Sequence, residues 1–168
     1  MKYNKIAFVG MMGSGKSTIA RALASELKKE VFDIDFLFEK KYKTKIRDFF
    51  KQFGEKKFRE YETEILQEIL LKDNFILSCG GGIVLSEKNR KLLFKDDILT
   101  IYLSANIETL YDRIKYDNTR PLLEVQDPKS EIKKILHERI KYYSMASKTI
   151  ITDNKNINEI VEEIKWIL

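Results

Sequence analysis

The sequence predicts an α/β fold, an open and mostly parallel sheet covered by helices on both faces, on three observations. Apolar runs of strand length alternate with longer segments whose apolar residues recur at spacings of three and four. The runs are rich in Ile, Val, Phe and Leu, as strands buried on both faces must be. No internal repeat and no Pro/Gly/Ser-rich linker interrupts the order, so the 168 residues read as a single domain. That length buries a continuous core without disulfide or metal support.

In chain order, "KIAFVG" (5–10) reads as the first strand and "KSTIARALASELKKE" (16–30) as the helix after it. "EVFDID" (30–35) is the second strand, and "EKKFREYETEILQEILLKD" (55–73) a long amphipathic helix. "NFILSCG" (74–80) and "ILTIYLS" (98–104) are the third and fourth strands, each followed by a helical pattern, "SEKNRKLLFKDD" and "ANIETLYDRIKYD". "YDNTRPLLEVQDPKS" (116–130) breaks the rhythm: it holds both prolines and is long for a connection, as lids and binding loops are. The helix "SEIKKILHERIKYYSMAS", the strand "KTIIT" and the helix "INEIVEEIKWIL" complete the chain.

The formal charge of +5 permits anionic ligands. Its lysines are interleaved with glutamates, as on a solvated surface, and no RNA-binding signature, zinc-finger spacing or basic tail points to nucleic acid. The lone Cys79 cannot form an intramolecular bridge, in keeping with a reducing compartment. The N-terminus does not read as a cleaved signal peptide, and no stretch approaches the roughly 20 apolar residues of a membrane helix. A cytoplasmic protein, monomeric by default and with no nucleic-acid or membrane partner, is expected.

The strongest chemical signal is "GMMGSGKST" (10–18), which fits G-x-x-x-x-G-K-[ST] between a strand and a helix. The glycines let backbone N–H groups turn toward a polyphosphate, and the helix N-terminus adds partial positive charge. Lys16 would reach the β- and γ-phosphates, and the Ser17 hydroxyl would ligate Mg²⁺. Asp33 and Asp35, two apart in "VFDIDF", should project together from one strand end. Beside a dication two carboxylates no longer simply repel, so one can serve Mg²⁺ and the other an acceptor hydroxyl. Capping of the helix that follows is the alternative for Asp35. Gly80, Gly81 and Gly82 let a ligand approach the backbone closely. In "FREYE", Arg59 and Glu62 stand three apart on one helix face, so the glutamate can fix a guanidinium that binds an anion. Arg120 and Arg139 add two further cations.

The ordered set "GMMGSGKST", "DID", "FREYE", "CGGG", "NTRPLL" and "ERIKYY" resembles shikimate kinase. The resemblance implies a three-layer αβα P-loop fold whose five parallel strands run in the order 2-3-1-4-5. It further implies Mg²⁺-dependent transfer of the ATP γ-phosphate to the 3-hydroxyl of shikimate, in the pathway to chorismate and the aromatic amino acids. A substrate-binding helical segment at about 35–62 and a lid at about 113–128 come with it. Carried over, Gly13, Ser14, Gly15, Lys16, Ser17 and Thr18 hold ATP, with Arg113, Arg120 and Lys155. Ser17 and Asp33 hold Mg²⁺; Asp35 orients or deprotonates the attacking hydroxyl. Arg59 and Arg139 pair with the shikimate carboxylate, and Glu62 anchors Arg59. Gly81 and Gly82 offer backbone contacts, and Phe50 and Phe58 wall the ring unless they are ordinary core. Arg120 neutralises the transferring phosphoryl group.

Two departures stand out. "ERIKYY" lacks the proline that family members commonly carry before the tyrosine, so the helix there should differ locally, although Tyr143 keeps its spacing from Arg139. Lys155 stands where many relatives have an arginine. Cys79 reads as a small buried thiol, His137 as a surface residue, Trp166 as packing, and Met11 and Met12 as permissive loop positions. Rival readings are a gluconate or nucleoside-monophosphate kinase of the same fold, or a nucleotide-binding module without catalysis.

Overall fold

The computed structural model describes residues 3–116 and 125–168. Five parallel strands, β1 (Lys5–Val9), β2 (Glu30–Asp33), β3 (Phe75–Ser78), β4 (Ile98–Ser104) and β5 (Lys148–Ile151), lie in the order β2-β3-β1-β4-β5, as the resemblance implied. Side-chain alternation along β1 divides the core between the two faces. Ile6 and Phe8 join Ile19, Leu23, Ile160 and Ile164 of helices α1 (Lys16–Leu27) and α7 (Ile157–Lys165). Ala7 and Val9 face the other layer, where Phe38 of α2 (Ile34–Tyr42), Phe58, Leu66 and Tyr143 are buried. The remaining helices among the described residues are α3 (Ile46–Leu70), α4 (Glu87–Leu93), α5 (Ile107–Ile114) and α6 (Pro128–Tyr143), with a 3₁₀ turn at Ile83–Leu85. None of the described helices is long and apolar enough to cross a membrane.

Three expectations need correction. β2 ends at Asp33, whose carboxylate accepts from Phe36 N–H at 3.2 Å and caps α2, so Asp35 stands in the first helical turn. Helical residues turn by about 100° each rather than alternating; the two aspartates therefore do not project side by side from a strand, and the cap is Asp33, not Asp35. The long helix begins earlier than the amphipathic pattern, at Ile46, and is broken at Gly54, whose φ of 78° suits glycine. Trp166 does not pack: it is 90% exposed, two residues past buried Ile164 and hence on the opposite side of the helix end. His137 is exposed and Cys79 buried, as read. With no proline before Tyr143, α6 runs unbroken to that residue.

Candidate active site

The carboxyl ends of β1, β2 and β3 open into a cavity of about 420 Å³. Its lining includes the whole 13–18 stretch, Asp35, Gly81, Arg113 and Lys155. A crevice at the strand ends of an open α/β sheet is where such folds hold ligands. Gly13 and Gly15 take φ of 78° and 93°, and Gly15 caps α1 with no acidic residue in the first turn. The helix N-terminus thus keeps its positive end for an anion. Lys16 is 9% exposed and its Nζ donates to Met11 O at 2.8 Å, folding the side chain over its own loop.

Beside it, Ser17 Oγ donates to Asp33 Oδ2 at 2.5 Å and lies 3.1 Å from Ser78 Oγ. This is an all-oxygen donor set of one carboxylate and two hydroxyls, the hard chemistry of Mg²⁺, which takes few protein carboxylates and leaves room for phosphate and water. No cluster of three or more His, Cys, Asp or Glu that could hold a metal occurs among the described residues.

The acceptor side is built from α2, α3, α6 and the glycine turn. A Cβ on Gly80 would collide with Glu62 Oε1 and stand 2.9 Å from Asp35 Oδ1, so both carboxylates converge over that glycine. Glu62 is fully buried; one oxygen accepts from Arg59 Nη1 at 2.9 Å, and Oε1 has no hydrogen-bond partner. Arg59 also donates through Nη2 and Nε to Glu55 at 2.7 and 3.2 Å. Burial opposes the charge of Arg59, but Glu62 and Glu55 outweigh it and raise its pKa. Arg139, one turn before Tyr143 on α6, is 5% exposed and its Nε has no partner among the described residues. A buried guanidinium with an unused donor is a standing invitation to an anion.

Burial pushes the Glu62 carboxyl up to about 7, with Arg59 and Arg139 pulling down and Asp35 pushing further up. A carboxyl whose pKa is raised on folding contributes most stability below its unfolded value near 4.5 and loses it as pH rises through about 7. Between pH 5 and 8 the stability difference between Glu62→Gln and the native protein should therefore move in favour of Gln, by at most about 3 kcal/mol. Urea midpoints at the two pH values measure it; a pH-independent difference would contradict it.

Phe58 is core, its ring 4.8 Å from Phe38 and 4.9 Å from half-buried Phe50. Phe50 is the more available of the two as a wall. A Cβ on Gly82 would run into the tip of the Arg59 guanidinium. Because Glu55 and Glu62 tether that tip, Gly82→Ala should expel Arg59 and raise the KM of an anionic acceptor about tenfold, leaving the nucleotide KM unchanged in steady-state assays.

On the nucleotide side Arg113 donates to Gly13 O at 3.2 Å and to Thr152 Oγ1 and O at 3.0 and 2.9 Å, tying α5 to the phosphate loop and to the residue that follows β5. Lys155 pairs with Glu163 at 2.5 Å at the cavity rim. Arg120 and the expected lid core, 117–124, lie outside the described residues.

Four participants escaped the sequence reading. Ser78 is a polar residue ending an apolar strand, and Glu55 stands four before Arg59; both carried a signal. Met11 is buried and its carbonyl holds Lys16, and Thr152 receives Arg113; nothing local marks either.

Residues 12–168 match the model of the family described as shikimate kinase. A shikimate kinase of Sulfurihydrogenibium sp. (strain YO3AOP1) is 40% identical over 159 residues, 95% of this chain and 94% of that one. A solved structure described as shikimate kinase from Acinetobacter baumannii in complex with shikimate superposes with a TM-score of 0.94 at 32% identity, covering 98% of this chain and 92% of that one. The Aquifex aeolicus shikimate kinase structure gives 0.84 at 32% identity, over 96% and 94%. With the phosphate loop and Asp35 lining one cavity, and Glu62 with its Arg59 meeting Asp35 across Gly80, these near full-length matches make the chain a member of the shikimate kinase family.

Proposed function

We propose that this crevice transfers the γ-phosphate of MgATP to the 3-hydroxyl of shikimate, giving shikimate 3-phosphate and ADP. The observation that carries the reading is that Lys16 and Ser17 line the same cavity as Asp35, while Asp35 meets Glu62, and through it Arg59, across Gly80. Phosphoryl transfer asks the protein for position and charge more than for covalent chemistry.

The N-terminus of α1 and the backbone of residues 13–18 take the phosphates, and Lys16 exchanges Met11 O for phosphate oxygens. Ser17 and Asp33 are the residues that would hold Mg²⁺, which supplies charge neutralisation of the phosphate oxygens when bound. Arg59 and Arg139 take the shikimate carboxylate in the planar, forked manner suited to guanidinium. That sets the ring over the glycine turn and brings a hydroxyl to Asp35, which orients it and accepts its proton as the oxygen attacks. Glu62 keeps Arg59 aimed. The helical segment 35–62 supplies most of this half-site. Arg113 and Lys155 face the nucleotide's far end.

By the resemblance, Arg120 stabilises charge on the phosphoryl group in transit. Arg120→Ala should then lower kcat roughly a hundredfold with little change in shikimate affinity; proportionate losses in both would contradict that role. The proposal as a whole is tested by phosphorus and proton NMR of the product: phosphorus coupled to the ring proton at carbon 3 is expected, and phosphate on another hydroxyl would overturn it.

A further inference from the structure

We propose that Tyr143 is a positioning residue: its hydroxyl fixes the Gly81–Gly82 peptide so that the Gly82 N–H meets the acceptor's carboxylate beside Arg59 and Arg139. The inference deepens, and rests on, the acceptor site proposed above. Tyr143 is fully buried at the end of α6, and its Oη donates to Gly81 O at 2.6 Å. Met11 Sδ lies 3.7 Å from the same oxygen, a softer and longer contact for the one hydrogen available. The ring stacks on Tyr102 of β4, centroids 5.1 Å apart and planes at 19°, so the hydroxyl sits on a rigid mount. Burial holds the phenol pKa up to about 12, which keeps the donor protonated, while Arg139 acts on the same oxygen in the opposite sense.

The consequence follows from the peptide plane. In a trans peptide the carbonyl of one residue and the N–H of the next point in opposite directions, and no cis bond occurs among the described residues. Drawing Gly81 O into the core toward Tyr143 therefore turns the Gly82 N–H the other way. Gly82 is buried, and its N–H donates to no described residue. The Arg59 tip occupies the Cβ position of Gly82, and Arg139 Nη1 lies 3.8 Å from the Cβ position of Gly81. A buried, aimed and unspent donor between two guanidinium groups is built for a carboxylate. Without the Tyr143 hydrogen bond the glycine turn, free of side chains, can rotate this peptide.

Tyr143→Phe keeps the stacked ring and removes only the hydroxyl. The expected result is a shikimate KM raised about tenfold with the ATP KM and kcat within twofold of the native values. Equal effects on both substrates, no effect, or a loss confined to kcat would overturn the positioning role. In the native protein, the Gly82 amide proton should move downfield on shikimate binding in ¹⁵N-resolved spectra. An unmoved Gly82 amide would overturn the proposal even if the variant failed to fold. Absence of shikimate turnover by the native enzyme would instead remove the acceptor reading itself, and is measured first.

Discussion

Asp35→Asn should lower kcat by about 10² to 10⁴-fold, the range that a positioned general base contributes, while leaving the shikimate KM within a few-fold. The asymmetry follows from placement. Asp35 lines the nucleotide cavity yet stands with Glu62 Oε1 over Gly80, at the boundary between the two half-sites. Asparagine keeps the size and one hydrogen-bonding oxygen but cannot accept the proton of an attacking hydroxyl. Steady-state kinetics on the native and variant proteins check both halves. A kcat loss below roughly threefold would deny Asp35 a part in the chemistry.

Arg139→Met should raise the shikimate KM by on the order of 10² to 10³-fold, from the loss of two charge-assisted hydrogen bonds, without lowering the melting temperature. An ordinary buried arginine would give the opposite stability result. Here the guanidinium is nearly buried and its Nε is unsatisfied, so the empty protein carries a desolvation penalty that an apolar side chain of similar length relieves. A gain of about 1 kcal/mol would appear as roughly 2–4 °C in a chain of this size. Stability sacrificed at one residue for the sake of a ligand is the mark of a binding site. A marked fall in melting temperature with an unchanged KM would make Arg139 structural.

Much of this was legible in the sequence because the signals are local. β1, β3 and β4 declare themselves through short runs rich in Ile, Leu, Val and Phe, and the phosphate loop through spacing between a strand and a helix. What failed were questions of where one period gives way to another. Asp33 closes its own strand by capping α2, so a two-residue alternation extended to Asp35 put that side chain on the wrong element. The amphipathic pattern from Glu55 was sound, but α3 starts nine residues earlier because Phe49 packs on Phe38 across a 5.0 Å edge contact, a tertiary event. Trp166 looked like core from its neighbours Ile160 and Ile164, yet the helical turn carries it into solvent. The site fared similarly. The Arg59–Glu62 pair was readable at helix spacing, whereas Tyr143 on Gly81 joins residues 62 apart, and no local pattern encodes such a contact.

The most direct test is ADP release from MgATP with shikimate, gluconate or AMP as sole acceptor, with Asp35→Asn as the control. Turnover with shikimate alone, lost in the variant, is the predicted result. Turnover with another acceptor and none with shikimate would contradict the account, leaving the phosphate loop in place but assigning the arginine pair to a different anion.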